Sequence, residues 1–70
     1  MRNSEVSTLQ KVLAQDPGVY PEGSITGYFG PATLRAVKAF QVKYSIAKKG
    51  DLGFGLVGPA TREKINSLIK

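Results

Sequence analysis

The pattern of the sequence predicts an all-α fold, a small three-helix bundle with glycine-rich loops and an internal loop-helix pseudo-repeat. Apolar residues recur at helical spacing in three separate stretches of the 70 residues. Pro31 and Pro59 stand at the start of the second and third stretches. Proline suits the first helical position, where its missing N–H would have no partner. Clusters of glycine separate the stretches, so three short helices around one core is the natural packing.

The first helix is expected near 4–15. Val6, Leu9, Val12 and Leu13 share a face, and Asn3 or Ser4 can cap the first turn. Asp16-Pro17-Gly18 ends it, because Pro17 disfavours helical geometry at Asp16. A turn-rich stretch follows, with a short β-prone Ser24-Ile25-Thr26 inside it. The second helix runs from Pro31 to about Tyr44, with Leu34, Val37, Phe40 and Tyr44 in one arc and Gln41 within that arc. Residues 45–58 read as a loop carrying Gly50, Gly53, Gly55 and Gly58. The third helix is expected at 59–69, with Thr61, Ile65, Leu68 and Ile69 on one side. The expected core is Leu9, Leu13, Phe29, Leu34, Val37, Phe40, Ile65 and Leu68. Residues 1–70 read as one domain with its core at about 5–69.

Composition narrows the chemistry. There is no Cys, so disulfides, zinc–thiolate sites and cysteine nucleophiles are excluded. There is no His, the usual general base and commonest metal ligand. The Asp and Glu residues are scattered, which argues against paired-carboxylate catalysis. No catalytic residue, metal or cofactor is expected. Ten Lys and Arg against five Asp and Glu give a net charge of +5, which favours anionic partners. No apolar run approaches the ~18 residues of a membrane span, so no membrane partner is expected. Met1 to Glu5 lead into an amphipathic segment, so no secretory signal is read there. The chain is then either cytoplasmic or a domain of a longer exported protein.

The most informative feature is a repeat offset by 28 residues. Gly27-Tyr28-Phe29-Gly30-Pro31-Ala32-Thr33 aligns with Gly55-Leu56-Val57-Gly58-Pro59-Ala60-Thr61, with five of seven positions identical. Val37 then corresponds to Ile65, and Phe40 to Leu68. The glycines permit positive φ and close chain approach. Phe29 and Val57 can plug the core just ahead of a helix, and Thr33 and Thr61 can hydrogen-bond back toward the cap. Two equivalent loop-to-helix junctions are expected, with Tyr28 facing outward.

These residues, together with Leu9-Gln10 and Ala36-Val37-Lys38-Ala39-Phe40-Gln41, resemble the peptidoglycan-binding domain type 1 family over roughly 5–69. The resemblance implies a small non-catalytic module that holds a host envelope protein or wall hydrolase on peptidoglycan. It also implies a place in the cell envelope, periplasmic or extracellular, a monomeric state within a larger chain, and a glycan or stem-peptide partner. Thr26-Gly27 and Gly53-Phe54-Gly55-Leu56 depart from the Asp-Gly form common in the family. The same fold occurs in propeptides of some zinc proteases, but those carry a zinc-capping cysteine that this chain lacks.

A glycan site needs aromatic faces and planar polar groups beside a shallow groove. Tyr20, Tyr28, Gln41 and Tyr44 are the candidates. Helices 2 and 3 are expected side by side, with Tyr28 at the mouth of a groove, Gln41 on its floor and Tyr44 at one end. Each has a structural alternative: Tyr44 packs on the core, Gln41 ties loop backbone together, and Tyr20, expected to be exposed in its turn, covers the core edge. Arg35, Lys38, Lys48, Lys49 and Arg62 can attract stem-peptide carboxylates or simply form a solvated basic surface. Asp51 can accept hydrogen bonds from the ligand or hold its own loop. The rival readings are a structural or protein-interaction module of the same fold, and a basic three-helix domain binding nucleic acid. The latter is disfavoured because helix 3 mixes Glu63 with Arg62 and Lys64.

Overall fold

The computed structural model describes residues 4–69, with Ser4 described by its backbone alone. The cap expected of Asn3 or the Ser4 side chain therefore lies outside the described residues. Three helices are present: α1 (Ser4–Ala14), α2 (Pro31–Lys43) and α3 (Pro59–Ile69). They match the predicted three-helix, all-α fold to within one residue at each end.

α1 is the central element. It packs against both α2 and α3, which touch each other less than either touches α1. This corrects the expected side-by-side pairing of α2 and α3. The reason lies in the α1 sequence, whose apolar stripe is wide: Val6, Leu9, Val12 and Leu13 are all buried. One helix then serves two neighbours.

The core joins these residues to Val19, Tyr20, Ala36, Val37, Phe40 and Ile65. Phe29, Val57 and Leu68 are half-buried and pack against it. Leu34, expected at the centre, is also only half-buried. Ile69, expected on the inner side of α3, is exposed. Both lie at the margin of their helix's apolar arc, where the small core offers nothing further to cover them.

Local hydrogen bonds explain the helix ends. After α1, the Val19 and Tyr20 N–H groups both donate to the Asp16 carbonyl at 2.9 Å. The Gly18 N–H donates to Asp16 Oδ1 at 2.9 Å. This tight turn folds Val19 and Tyr20 back into the core. α2 ends in a Schellman pattern, with Ile46 N–H on the Gln41 carbonyl (2.8 Å) and Ser45 N–H on the Val42 carbonyl (3.1 Å). Ser45 occupies the left-handed position with φ 58°, where glycine is usual.

Candidate functional site

The two junctions of the repeat are built alike, and each is held by a glutamine from the preceding helix. Gln10 of α1 accepts the Thr26 and Gly27 N–H groups on its Oε1 at 2.9 and 3.0 Å. Its Nε2 donates to the Tyr28 carbonyl and to Thr33 Oγ1, both at 3.0 Å. Gln41 of α2 accepts the Gly55 N–H at 2.7 Å. Its Nε2 donates to the carbonyls of Leu56 (2.8 Å) and Gly53 (3.1 Å), and to Thr61 Oγ1 (3.2 Å). Tyr28 and Leu56, and Thr33 and Thr61, are repeat partners, so each glutamine reads the same positions of its own loop.

Both amides and both threonines are buried. Thr33 and Thr61 thus accept from the glutamine amides of the preceding helices, a tertiary role where local capping was expected. Gly27 and Gly55 carry the required positive φ, 77° and 87°. Gly30 is extended (φ −111°, ψ −170°), and the Gly30 and Gly58 carbonyls accept the first helical bonds, from Leu34 and Arg62, at 3.0 and 2.9 Å. The junctions share the bonds to the repeat-partner positions and differ at Thr26, whose N–H donates to Gln10, and at Gly53, whose carbonyl accepts from Gln41.

The predicted site residues fall into two sets. Tyr20 and Gln41 are withdrawn from the surface. Tyr20, expected to be exposed, is 3% exposed, and its hydroxyl donates to the Ser24 carbonyl at 2.6 Å. Gln41, expected on a groove floor, is 1% exposed and spends both ends of its amide on the loop. A lone amide within an apolar arc must find partners, and the 53–56 backbone supplies them.

Tyr28, Arg35, Tyr44 and Asp51 are accessible. Tyr28 is exposed, with its ring edge close to Gly30. Arg35 meets Glu22 at 3.0 Å on the surface. Tyr44 stacks obliquely on Phe40, centroids 4.7 Å apart, with Lys64 Nζ 4.6 Å from its ring centre. Asp51 is exposed, but its Oδ2 accepts the Lys48 N–H at 3.0 Å, so one oxygen holds the loop. Tyr28 precedes α2 and Tyr44 follows it, so a helix of 13 residues separates them, roughly 20 Å of rise. They stand at opposite ends of α2.

Two surface depressions were missed by sequence reasoning. One, of about 550 Å³, is walled by Phe54, Lys38, Val42 and Ala39, with Lys43 and Asp16 at its rim. The Lys38 ammonium lies 5.5 Å from the Phe54 ring centre. Lys43 is bonded to Asp16. That bond, and then the Gly18 N–H, hold the Asp16 carboxyl below its usual range, and the same contact raises the Lys43 ammonium above its own. The other depression, of about 420 Å³, runs between α1 and α3 over Val6, Leu9, Val57 and Ile65. Only the pairing of distant elements creates either hollow, so no sequence signal marks them. Gln10 did carry a signal, the parallel of Leu9-Gln10 with Phe40-Gln41.

Among the described residues, no three His, Cys, Asp or Glu side chains gather to hold a metal. No buried side-chain polar atom among them lacks a partner. Among the described residues, no helix is long and apolar enough to cross a membrane. A rigid scaffold with aromatic, apolar and cationic patches on a basic surface belongs to the class of small binding modules. The chain belongs to the family described as "Putative peptidoglycan binding domain", whose model matches residues 2–65.

The chain is 43% identical over 90% of its length to "Zinc D-Ala-D-Ala carboxypeptidase" of Streptomyces albus G. It is 36% identical over its whole length to "Probable N-acetylmuramoyl-L-alanine amidase" of Bacillus licheniformis. It is 33% identical, again over its whole length, to "N-acetylmuramoyl-L-alanine amidase CwlL" of the same organism. It spans 23%, 20% and 19% of these three proteins. No solved structure matches the chain.

Proposed function

We propose that this chain binds peptidoglycan and holds a larger protein, of which it is one module, on the cell wall, without catalysing a reaction itself. The observation that carries this reading is the family match over residues 2–65. The relatives support it. Their names describe enzymes acting on wall components, and the matched part is about a fifth of each, too little to be the whole enzyme. The net charge of +5 suits an anionic polymer.

The proposed contacts are Tyr28, Arg35 and Tyr44, with Asp51 shaping its loop. Tyr20 and Gln41 act from beneath, holding the loops that present the surface. A polymer can reach both ends of α2 where a single sugar cannot. The module works as one copy at the wall, in the periplasm or outside the cell, and takes neither nucleic acid nor membrane as partner. Sedimentation with purified sacculi, in the presence and absence of wall teichoic acid, tests the reading. Retention on both preparations is expected, with Tyr28→Ala weakening it at unchanged circular dichroism. Absence of the parent from both pellets would overturn it.

A further inference from the structure

We propose that the groove between α1 and α3 binds the carboxylate end of a short peptide with small apolar side chains, with Arg62 holding the carboxylate. This rests on the peptidoglycan reading, in which stem peptides supply such ends. The groove joins an apolar floor to a charged rim. Val6, Leu9 and Ile65 are almost wholly buried yet line it, and half-buried Val57 extends the floor. Its volume of about 420 Å³ falls within the ~300–1,000 Å³ usual for small-ligand sites.

The rim selects the ligand class. Arg62 lines the groove, and its Nη2 meets Glu5 Oε2 at 3.4 Å. A close charge-assisted bond would be about 2.7–2.9 Å. Both side chains are mostly exposed, so their pairing is weak and easily exchanged. A carboxylate entering the groove can take both arms of the guanidinium fork, which Glu5 does not in this geometry. Asn66 lies one helical turn beyond Arg62 on the same face and also lines the groove. Its amide can donate to and accept from a peptide bond of the ligand.

No lining residue is aromatic, so the groove offers no platform for a sugar face. The aliphatic floor suits methyl-sized side chains instead. Glu5 sets the affinity from the other side, because its carboxylate competes for Arg62 and repels the incoming one.

The test is a titration of the ¹⁵N-labelled chain, at low salt, with N,N′-diacetyl-L-lysyl-D-alanyl-D-alanine and with its C-terminal carboxamide. The first probe carries a single charge, its terminal carboxylate, and the second carries none. The acid is expected to shift the amide signals of Leu9, Val57, Ile65 and Asn66. The carboxamide should bind about tenfold more weakly, the loss expected for one charge-assisted pair. Arg62→Gln should weaken the acid by a similar factor and leave the carboxamide unchanged. Glu5→Gln should tighten the acid about threefold, since a competitor and a repulsion both go. The spectra themselves report whether each variant is folded, and Arg62→Lys serves as a second probe of the fork. Equal binding of acid and carboxamide, or shifts confined to other surfaces, would overturn the proposal. Sacculus retention without groove shifts would remove this site and leave wall binding standing. Groove shifts without sacculus retention would do the reverse.

Discussion

Gln41 Nε2 donates to the Leu56 carbonyl at 2.8 Å, the counterpart of the 3.0 Å bond from Gln10 to the Tyr28 carbonyl. Each buried amide closes the loop that launches the next helix. Replacing Gln41 by Leu strands the Gly55 N–H, while the Gly53 and Leu56 carbonyls each keep one backbone donor, from Leu56 and Gly58. An unmet buried group costs about 1–3 kcal/mol, so Gln41→Leu should lose an amount in that range. Gln10→Leu should behave alike. Urea unfolding measures both, and a loss below about 1 kcal/mol would mean that water serves these groups equally well.

The two loop glycines of the second junction should respond differently to alanine. Gly55 has φ 87°, and a Cβ there would stand 3.1 Å from Lys38 Cε and 3.3 Å from Leu34 Cδ1. Gly55→Ala should cost about 1–2 kcal/mol from the left-handed backbone alone. Gly53 carries no positive φ, and its Cβ would meet open space. Gly53→Ala should be neutral or stabilising by up to about 1 kcal/mol, because it restrains the unfolded chain. Equal losses at both positions would contradict this account.

Ser45 closes α2 at φ 58°. Glycine adopts that conformation freely, whereas an L-residue is strained by about 1–2 kcal/mol. Glycine's greater freedom in the unfolded chain offsets part of that gain. Ser45→Gly should therefore raise stability by about 0.5–1 kcal/mol, read as a higher melting temperature. A lower one would assign the serine side chain a stabilising role.

The Asp16–Lys43 pair should leave a pH signature. The carboxyl is held below its usual range by Lys43 and then by the Gly18 N–H. Its stabilisation is therefore present above the unfolded value of about 3.9 and is lost as pH falls through the lower folded value. Lys43 is raised by the same contact, so its share is present below about 10.4 and is lost as pH rises through the higher folded value. Stability curves of Asp16→Asn should be flatter than the parent's at both limits. A parent-like acid limb in that variant would show that other carboxylates govern it.

Much of the fold is legible in the chain. Pro31 and Pro59 mark two helix starts, Asp16-Pro17-Gly18 marks a helix end, and the repeat announces two like junctions. These signals are local: they rest on φ preferences and helical spacing within a few residues. The site was less legible. Tyr20 reads as a surface residue in a turn, yet two N–H bonds to the Asp16 carbonyl roll it inward. Gln41 reads as a polar residue for a ligand, yet the loop fourteen residues later consumes its amide.

Helix number, helix boundaries and family follow from the chain alone, because proline placement, periodicity and a 28-residue repeat are properties of neighbouring residues. Tertiary structure alone decided that α1 lies between α2 and α3, that Gln10 and Gln41 close loops, and that Glu5 meets Arg62 across 57 positions of chain. Burial and electrostatic contact depend on distance in space. Chain spacing does not specify that distance once helices pack against partners far away in sequence.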